Sequence, residues 1–137
     1  MRNIIGLIAL LATWALPAQN RLEIEVEGVE ASEGEIQIAL YTHEKDFLSM
    51  EGVFRADSVK ASKGTTLISV EDLPTGTYAL AIFHDRNSNK RLDTNWIGVP
   101  KEPLGFSNAR MRTFGPPTFE DCMMHVQADA RITIRLE

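Results

Sequence analysis

The residues with the most specific chemistry lie in one run, Asp85-Arg86-Asn87-Ser88-Asn89-Lys90-Arg91-Leu92-Asp93. Asp85, Asn87, Asn89 and Asp93 stand at loop positions 1, 3, 5 and 9, with the backbone carbonyl of Arg91 at position 7, which is the spacing at which calcium loops supply oxygen ligands. Ca²⁺ takes about six to eight oxygens at ~2.3–2.6 Å, and a tight loop turns alternate side chains toward one point. Position 6 of such loops is normally glycine and position 12 a bidentate glutamate; here they are Lys90 and Trp96, and no helical pattern flanks the run. The run is therefore not an EF-hand, and a cation here needs further ligands, with Asn95, Glu102 and Asp121 as candidates. The competing expectation needs no metal, because Asp and Asn side chains cap tight turns by accepting hydrogen bonds from nearby backbone amides.

Other reactive residue types are scattered. His43, His84 and His125 could in principle form a zinc site, but they have no short ligand spacing. A metal-assisted hydrolase using His84, Asp85 and His125 stands as an alternative. The sequence has no Gly-x-Ser-x-Gly, no Gly-rich phosphate loop and no Cys-x-x-Cys. Ser49 and Ser107 have no readable partner, and Glu71-Asp72 and Glu120-Asp121 read as strand-edge acids rather than an acid/base pair. The single cysteine, Cys122, excludes an internal disulfide and, lying in an alternating apolar run, reads as a small core residue rather than a nucleophile.

From Asn95 to Thr118 the sequence has no clean period. It holds Pro100, Pro103, Pro116 and Pro117, Gly98, Gly105 and Gly115, and the aromatics Trp96, Phe106 and Phe114. Aromatic anchors among turn residues suggest a long ordered loop packed by its own side chains. Such loops often carry function, so Trp96, Phe106, Asn108 and Phe114 are candidate ligand- or partner-binding residues. A structural cover over one open end of a sheet is the alternative.

The element that must position both segments is the strand before them. After the turn Leu73-Pro74-Thr75-Gly76, residues 77–83 place Tyr78, Leu80 and Ile82 on one face and Ala79, Ala81 and Phe83 on the other. Both faces are apolar, as in a central strand covered on two sides. Residues 21–27 alternate Leu22, Ile24 and Val26 with Glu23, Glu25 and Glu27, a strand with one wet face. Residues 35–41, 65–70 and, more weakly, 53–61 add strands, and Phe47, Leu48 and Met50 are expected to fold back onto a sheet edge. A last hairpin is expected from residues 122–127 and 131–136. Six or seven short strands without a convincing helix predict an all-β, single-domain sandwich of immunoglobulin-like or prealbumin-like kind, with one long loop-rich end at residues 84–121.

Met1-Arg2-Asn3 followed by the thirteen-residue run Ile4 to Leu16, apolar apart from Thr13, is too short for a membrane span of ~20 residues and reads as a secretory signal peptide. Cleavage is expected after Ala18, leaving residues 19–137 as the domain; a retained N-terminal anchor is the alternative. A net charge of −5 makes nucleic acid and anionic membrane surfaces poor partners. Glu23, Glu25, Glu27, Glu30, Glu33 and Glu35 crowd the N-terminal strands while six basic residues lie between Asp85 and Arg112, consistent with solvated strand faces or with a dipolar surface.

Leu73-Pro74-Thr75-Gly76-Thr77-Tyr78, His84-Asp85-x-Asn87-x-Asn89 and Leu92-Asp93-Thr94-Asn95 are followed by three further runs. These are Ile97-Gly98-Val99-Pro100-Lys101-Glu102, Gly105-Phe106-Ser107-Asn108 and Phe114-Gly115-Pro116-Pro117-Thr118-Phe119-Glu120-Asp121. Together, and in this order, they resemble the bacterial family called domain of unknown function 2141. The resemblance implies a signal peptide followed by one small domain, and it carries over no catalytic residue. It also implies glycines at the places of Ser88 and Lys90, from which this chain departs. The Leu-Pro-x-Gly-Thr-Tyr step is similar to the strand entry of prealbumin-like and carboxypeptidase-regulatory sandwiches, which bears on fold and not on chemistry.

The expected function is that of an exported, non-enzymatic β-sandwich. It binds a cell-envelope or extracellular partner or ligand through residues 84–121, with Ca²⁺ as a candidate organiser of the loop. It is expected to be periplasmic or secreted, monomeric, and without nucleic-acid partners. A purely structural envelope module is the remaining alternative.

Overall fold

The computed structural model describes residues 19–92 and 100–137. The predicted signal peptide therefore lies outside the described residues. Among the described residues eight strands form two packed sheets, so the sandwich predicted from alternation is the observed architecture, with one or two more strands than the patterning gave. The strands are β1 (Gln19–Val29), β2 (Glu35–Tyr41), β3 (Arg55–Lys60), β4 (Gly64–Pro74), β5 (Gly76–Asp85), β6 (Leu104–Phe106), β7 (Met124–Val126) and β8 (Ala130–Arg135). One short helix, α1 (Phe119–Cys122), and a single 3-10 turn at Glu44–Asp46 complete the described elements. Among the described residues no helix is long and apolar enough to cross a membrane.

The three-stranded sheet has the order β4-β1-β8, with β1 antiparallel to β4 and parallel to β8. The larger sheet runs β3-β2-β5-β6, all antiparallel, and β7 pairs with the first residues of β5. Alternation explains the packing. Leu22, Ile24 and Val26 of β1, Ile36, Ile38 and Leu40 of β2, and Tyr78, Leu80 and Ile82 of β5 meet between the sheets in one core. Burying each Leu, Ile or Val side chain contributes about 1.5–3 kcal/mol against exposure. On the wet face of the small sheet the β1 glutamates lie beside β8 arginines, with Arg131–Glu25 at 3.5 Å and Arg135–Glu27 at 3.8 Å. This face is a solvated, charge-compensated one rather than an acidic pole.

The expected terminal hairpin does not form. β7 joins the large sheet through Tyr78↔Met124 and Thr77↔His125, while β8 crosses to the small sheet and pairs in parallel with β1. The alternation of residues 122–127 suggested one strand, but its first residue, Cys122, ends α1 instead. Beyond β8 the chain ties the sheets together: Glu137 N–H donates to Leu104 O at 2.8 Å and Leu104 N–H to Glu137 O at 3.2 Å.

β5 is the central strand the sequence indicates, and its second face defines the rest of the molecule. Tyr41, Ala79, Leu104, Phe106, Phe119 and Cys122 are buried there, outside the inter-sheet core. Phe47 folds back as expected, edge-on to Tyr41 at 5.4 Å and to Phe119 at 5.9 Å between ring centroids. Leu48 and Met50 do not follow it inward; Met50 is 82 % exposed.

Candidate functional site

The chain leaves β5 at His84 and Asp85, both with no exposed surface. His84 Nε2 lies 2.7 Å from the carbonyl oxygen of Glu33. A carbonyl only accepts, so Nε2 carries the proton and the ring is pinned to the β1–β2 turn. Its Nδ1 is buried without a hydrogen-bond partner among the described residues. The Asp85 carboxylate accepts from the backbone N–H of Lys90 at 2.7 Å and of Asn89 at 3.2 Å, and from Gln37 Nε2 at 3.4 Å. Asn87 Oδ1 accepts from Asn89 N–H at 3.2 Å and Asn89 Oδ1 from Arg91 N–H at 2.9 Å. Alternate oxygens thus satisfy the loop's own amides, the capping role expected of Asp and Asn in tight turns.

Ser88 and Lys90 take φ of 52° and 62°. The left-handed region favours glycine, which accounts for the glycines that the family resemblance implies at these two places. Asp93 and Trp96, both named from sequence, lie outside the described residues. The remaining sequence candidates separate. His125 stands opposite Thr77 at the other end of β5, its Nδ1 at 2.8 Å from Thr77 Oγ1. At ~3.3 Å per strand residue this places it roughly 23 Å along the sheet from His84. The triplet His84, Asp85 and His125 is therefore not brought together, and no group of three His, Cys, Asp or Glu able to hold a metal occurs among the described residues.

Phe106 is buried and forms part of the outer face of the large sheet, whereas Phe114 is 98 % exposed, so the segment is not packed throughout by its own aromatics. Asn108 has φ 54° and donates through Nδ2 to Met123 O at 2.9 Å, holding α1 against β6. Sequence reasoning missed Ser107. Fully buried, it donates to Cys122 O at 2.6 Å and accepts from Leu80 N–H at 2.9 Å, while its own N–H donates to Leu80 O at 3.1 Å. A serine following a β-strand carries no local mark of such a partner; the signal lies in the topology.

α1 is set by a capping box. Thr118 Oγ1 accepts from Asp121 N–H, and the Asp121 carboxylate accepts from Thr118 N–H. These hydrogen bonds, and then the neighbouring Arg112 guanidinium, hold the Asp121 carboxyl below the usual carboxylate range. Burial, then the Asp121 charge, push the Cys122 thiol up to about 11, with Arg112 acting weakly against them. That is the setting of a core cysteine, not of a thiolate nucleophile.

Among the described residues a concavity lies on the outer face of the large sheet, a groove of about 750 Å³. Its floor includes Ala39, Ala56 and Ala81; Tyr41, Phe83 and Phe106 stand around it, and Met111 and Val53 come from the covering segments. Leu48, Met50 and Leu92, exposed apolar side chains, edge it together with Lys90 and Arg112. The groove thus connects the two sequence features: the capped loop supplies Lys90 and Leu92, and the Pro/Gly-rich segment supplies its other wall.

Fold and site together define a small two-sheet β-sandwich with a partly covered, apolar second face. Residues 24–134 match the family described as "Uncharacterized protein conserved in bacteria (DUF2141)", and the chain belongs to that family. Comparison with curated proteins and with solved structures gives no match.

Proposed function

We propose that this is a non-enzymatic binding module, exported on its N-terminal apolar run, that takes an apolar ligand or the apolar part of a partner into the groove on the large sheet. The second apolar face of that sheet supports this. A two-layer sandwich needs one apolar face per sheet. Here Ala39, Ala81 and Phe83 extend a second one, which the segments around residues 42–54 and 107–116 cover only in part. The groove volume falls in the range of small-molecule sites, about 300–1,000 Å³, and contiguous exposed apolar side chains mark interaction surfaces. The neutral probe N-phenyl-1-naphthylamine, fluorescent in apolar surroundings, is expected to bind saturably at one site. Ala81→Leu, which fills the floor, is expected to abolish the signal. Absence of saturable binding to the native chain, or unchanged binding to a folded Ala81→Leu variant, would remove the proposal.

A second part of the reading places Ca²⁺ at the loop, held by Asp85, Asn87, Asn89, the Arg91 carbonyl and Asp93. It is supported by the left-handed backbone at Lys90, at the position where calcium loops place glycine for their sharp turn. Oxygen donors at alternate positions suit a hard cation, and the bound ion would order the loop that edges the groove. Calcium at 100 times its dissociation constant is expected to stabilise the chain by about 2.7 kcal/mol, a Tm rise of several degrees that chelator reverses. Loss of the rise in Asn87→Ala would assign it to the loop; an unmoved melt of the native chain would leave a metal-free capped turn.

A further inference from the structure

We propose that the ligand of the groove is a single-chain amphiphile with a monoanionic head, a long-chain carboxylate. Its alkyl chain lies across the alanine floor and its carboxylate meets the ammonium of Lys90. This deepens the groove reading above and rests on it.

The shape comes from strand register. Ala56 of β3 is opposite Ala39 of β2, Ala39 is opposite Ala81 of β5, and Ala81 is opposite Phe106 of β6. Three methyl groups in a row across three strands, with Phe106 at one end, make a trough perpendicular to the strands. At ~4.8 Å between strands its floor spans roughly 10 Å before it reaches Phe106. Along β2 and β5 the next residues of this face are Gln37 and Phe83 to one side and Tyr41 and Ala79 to the other, so each side carries one ring. A narrow trough between the Phe83 ring and the Tyr41 ring suits an extended alkyl chain better than a broad rigid ring system.

The head group follows from charge. No Asp or Glu occurs among the described residues lining the groove, whereas Lys90 and Arg112 do. Arg112 is engaged by Asp121, and no described residue forms an ion pair or hydrogen bond with the Lys90 ammonium. The chain as a whole carries −5, so the cationic edge is local rather than a general property of the surface. Lys90 also occupies a left-handed backbone position, φ 62°, where glycine costs less, and its own N–H is tied to the Asp85 carboxylate at 2.7 Å. The loop thus places a lysine with no ion-pair partner among the described residues at the edge of the apolar groove, at a conformational cost. One positive charge without a partner among the described residues fits one negative charge, and the trough has room for one chain.

The test is displacement of N-phenyl-1-naphthylamine from the full chain by dodecanoate and by dodecanol, both below their aggregation concentrations, at pH 8. Dodecanoate is expected to displace the probe at about tenfold lower concentration than dodecanol, with the preference shrinking as salt rises. Lys90→Gly is expected to abolish the preference for the acid over the alcohol and to raise Tm; Lys90→Arg is expected to keep the preference. Equal potency of acid and alcohol, or a preference that survives Lys90→Gly, would overturn the proposal. If the probe binds and Ala81→Leu abolishes it but neither dodecyl compound competes, the groove reading stands and the amphiphile falls. If the probe itself does not bind, both fall. Lys90-dependent sedimentation with phosphatidylglycerol vesicles, without displacement by free dodecanoate, would assign the edge to a membrane surface and also overturn the proposal.

Discussion

Gly34→Ala is expected to destabilise the protein by about 2–4 kcal/mol, with a fall in Tm on the order of 10 °C. Two separable costs add. Gly34 has φ 70°, and an L-residue in the left-handed region costs roughly 1–2 kcal/mol. A Cβ there would also stand 2.0 Å from Asp85 O and 2.6 Å from Arg86 Cα. Neither neighbour is a flexible side-chain end; both are backbone at the start of the capped loop, so the turn or the loop must move. The surrounding bonds resist that movement. His84 Nε2–H donates to Glu33 O at 2.7 Å, Ala61 N–H to Gly34 O at 3.0 Å, and Arg86 pairs with Glu30 at 2.7 Å. Overpacking a site that cannot relax costs about 1–3 kcal/mol. Gly64→Ala is the control. Its φ is 93° but a Cβ there meets nothing within 4 Å, so it carries only the conformational part. Chemical denaturation of the two variants separates steric from conformational cost. A Gly34→Ala loss no larger than that of Gly64→Ala would mean that the turn does not press on the loop. A loop displaced by Gly34→Ala should also carry Lys90 out of place and weaken dodecanoate more than dodecanol.

Which parts of this molecule could be read from its sequence follows from how local each signal is. The two apolar faces of residues 77–83 are a pattern within one strand, and both are buried as read. The alternation of Leu22, Ile24 and Val26 likewise predicted a half-wet strand correctly. The loop's capping also follows from residue type, since Asp and Asn at alternate positions satisfy amides one turn ahead. What failed was one local mark passed over and one non-local pairing. Cys122 to Val126 looks like a strand because its side chains alternate, yet the Thr118–Asp121 capping box draws the first of these residues into α1. The last two strands look like a hairpin because they are adjacent in sequence, yet β8 gains a parallel partner in β1 more than a hundred residues earlier. The groove was half legible. Its edge residues Lys90 and Leu92 lie in the loop and Met111, Arg112 and Thr113 in the Pro/Gly-rich segment, both marked as candidate regions. Its floor was not, because three alanines on three strands become a row only when the register is known.

Ser107→Ala is expected to cost about 2–4 kcal/mol, far more than its small change in volume implies. The hydroxyl stands in for a backbone carbonyl. β6 ends at Phe106, and at the next position Leu80 N–H donates to Ser107 Oγ instead of to a strand carbonyl, while Ser107 Oγ–H donates to Cys122 O. All three residues lie in the interior. Removing the hydroxyl leaves a buried N–H and a buried C=O without these partners, each costing about 1–3 kcal/mol in lost solvation. The same bond lets the chain turn at Asn108 and bring residues 109–116 back beside the sheet, where Met111 and Arg112 wall the groove. Two readouts therefore move together: global stability by denaturation, and probe binding, which is expected to weaken in a variant that still folds. Amide exchange adds a local one, because the Leu80 N–H should lose protection more than the Ile82 N–H on the same strand. Asn108→Ala is the comparison. It removes one hydrogen bond to Met123 O from an exposed side chain, and is expected to cost no more than about 1 kcal/mol. Equal losses for Ser107→Ala and Asn108→Ala would show that the serine does not bridge β5 and α1. A large loss confined to Ser107→Ala, with Leu80 deprotected, would identify this hydroxyl as the joint on which the groove's second wall turns.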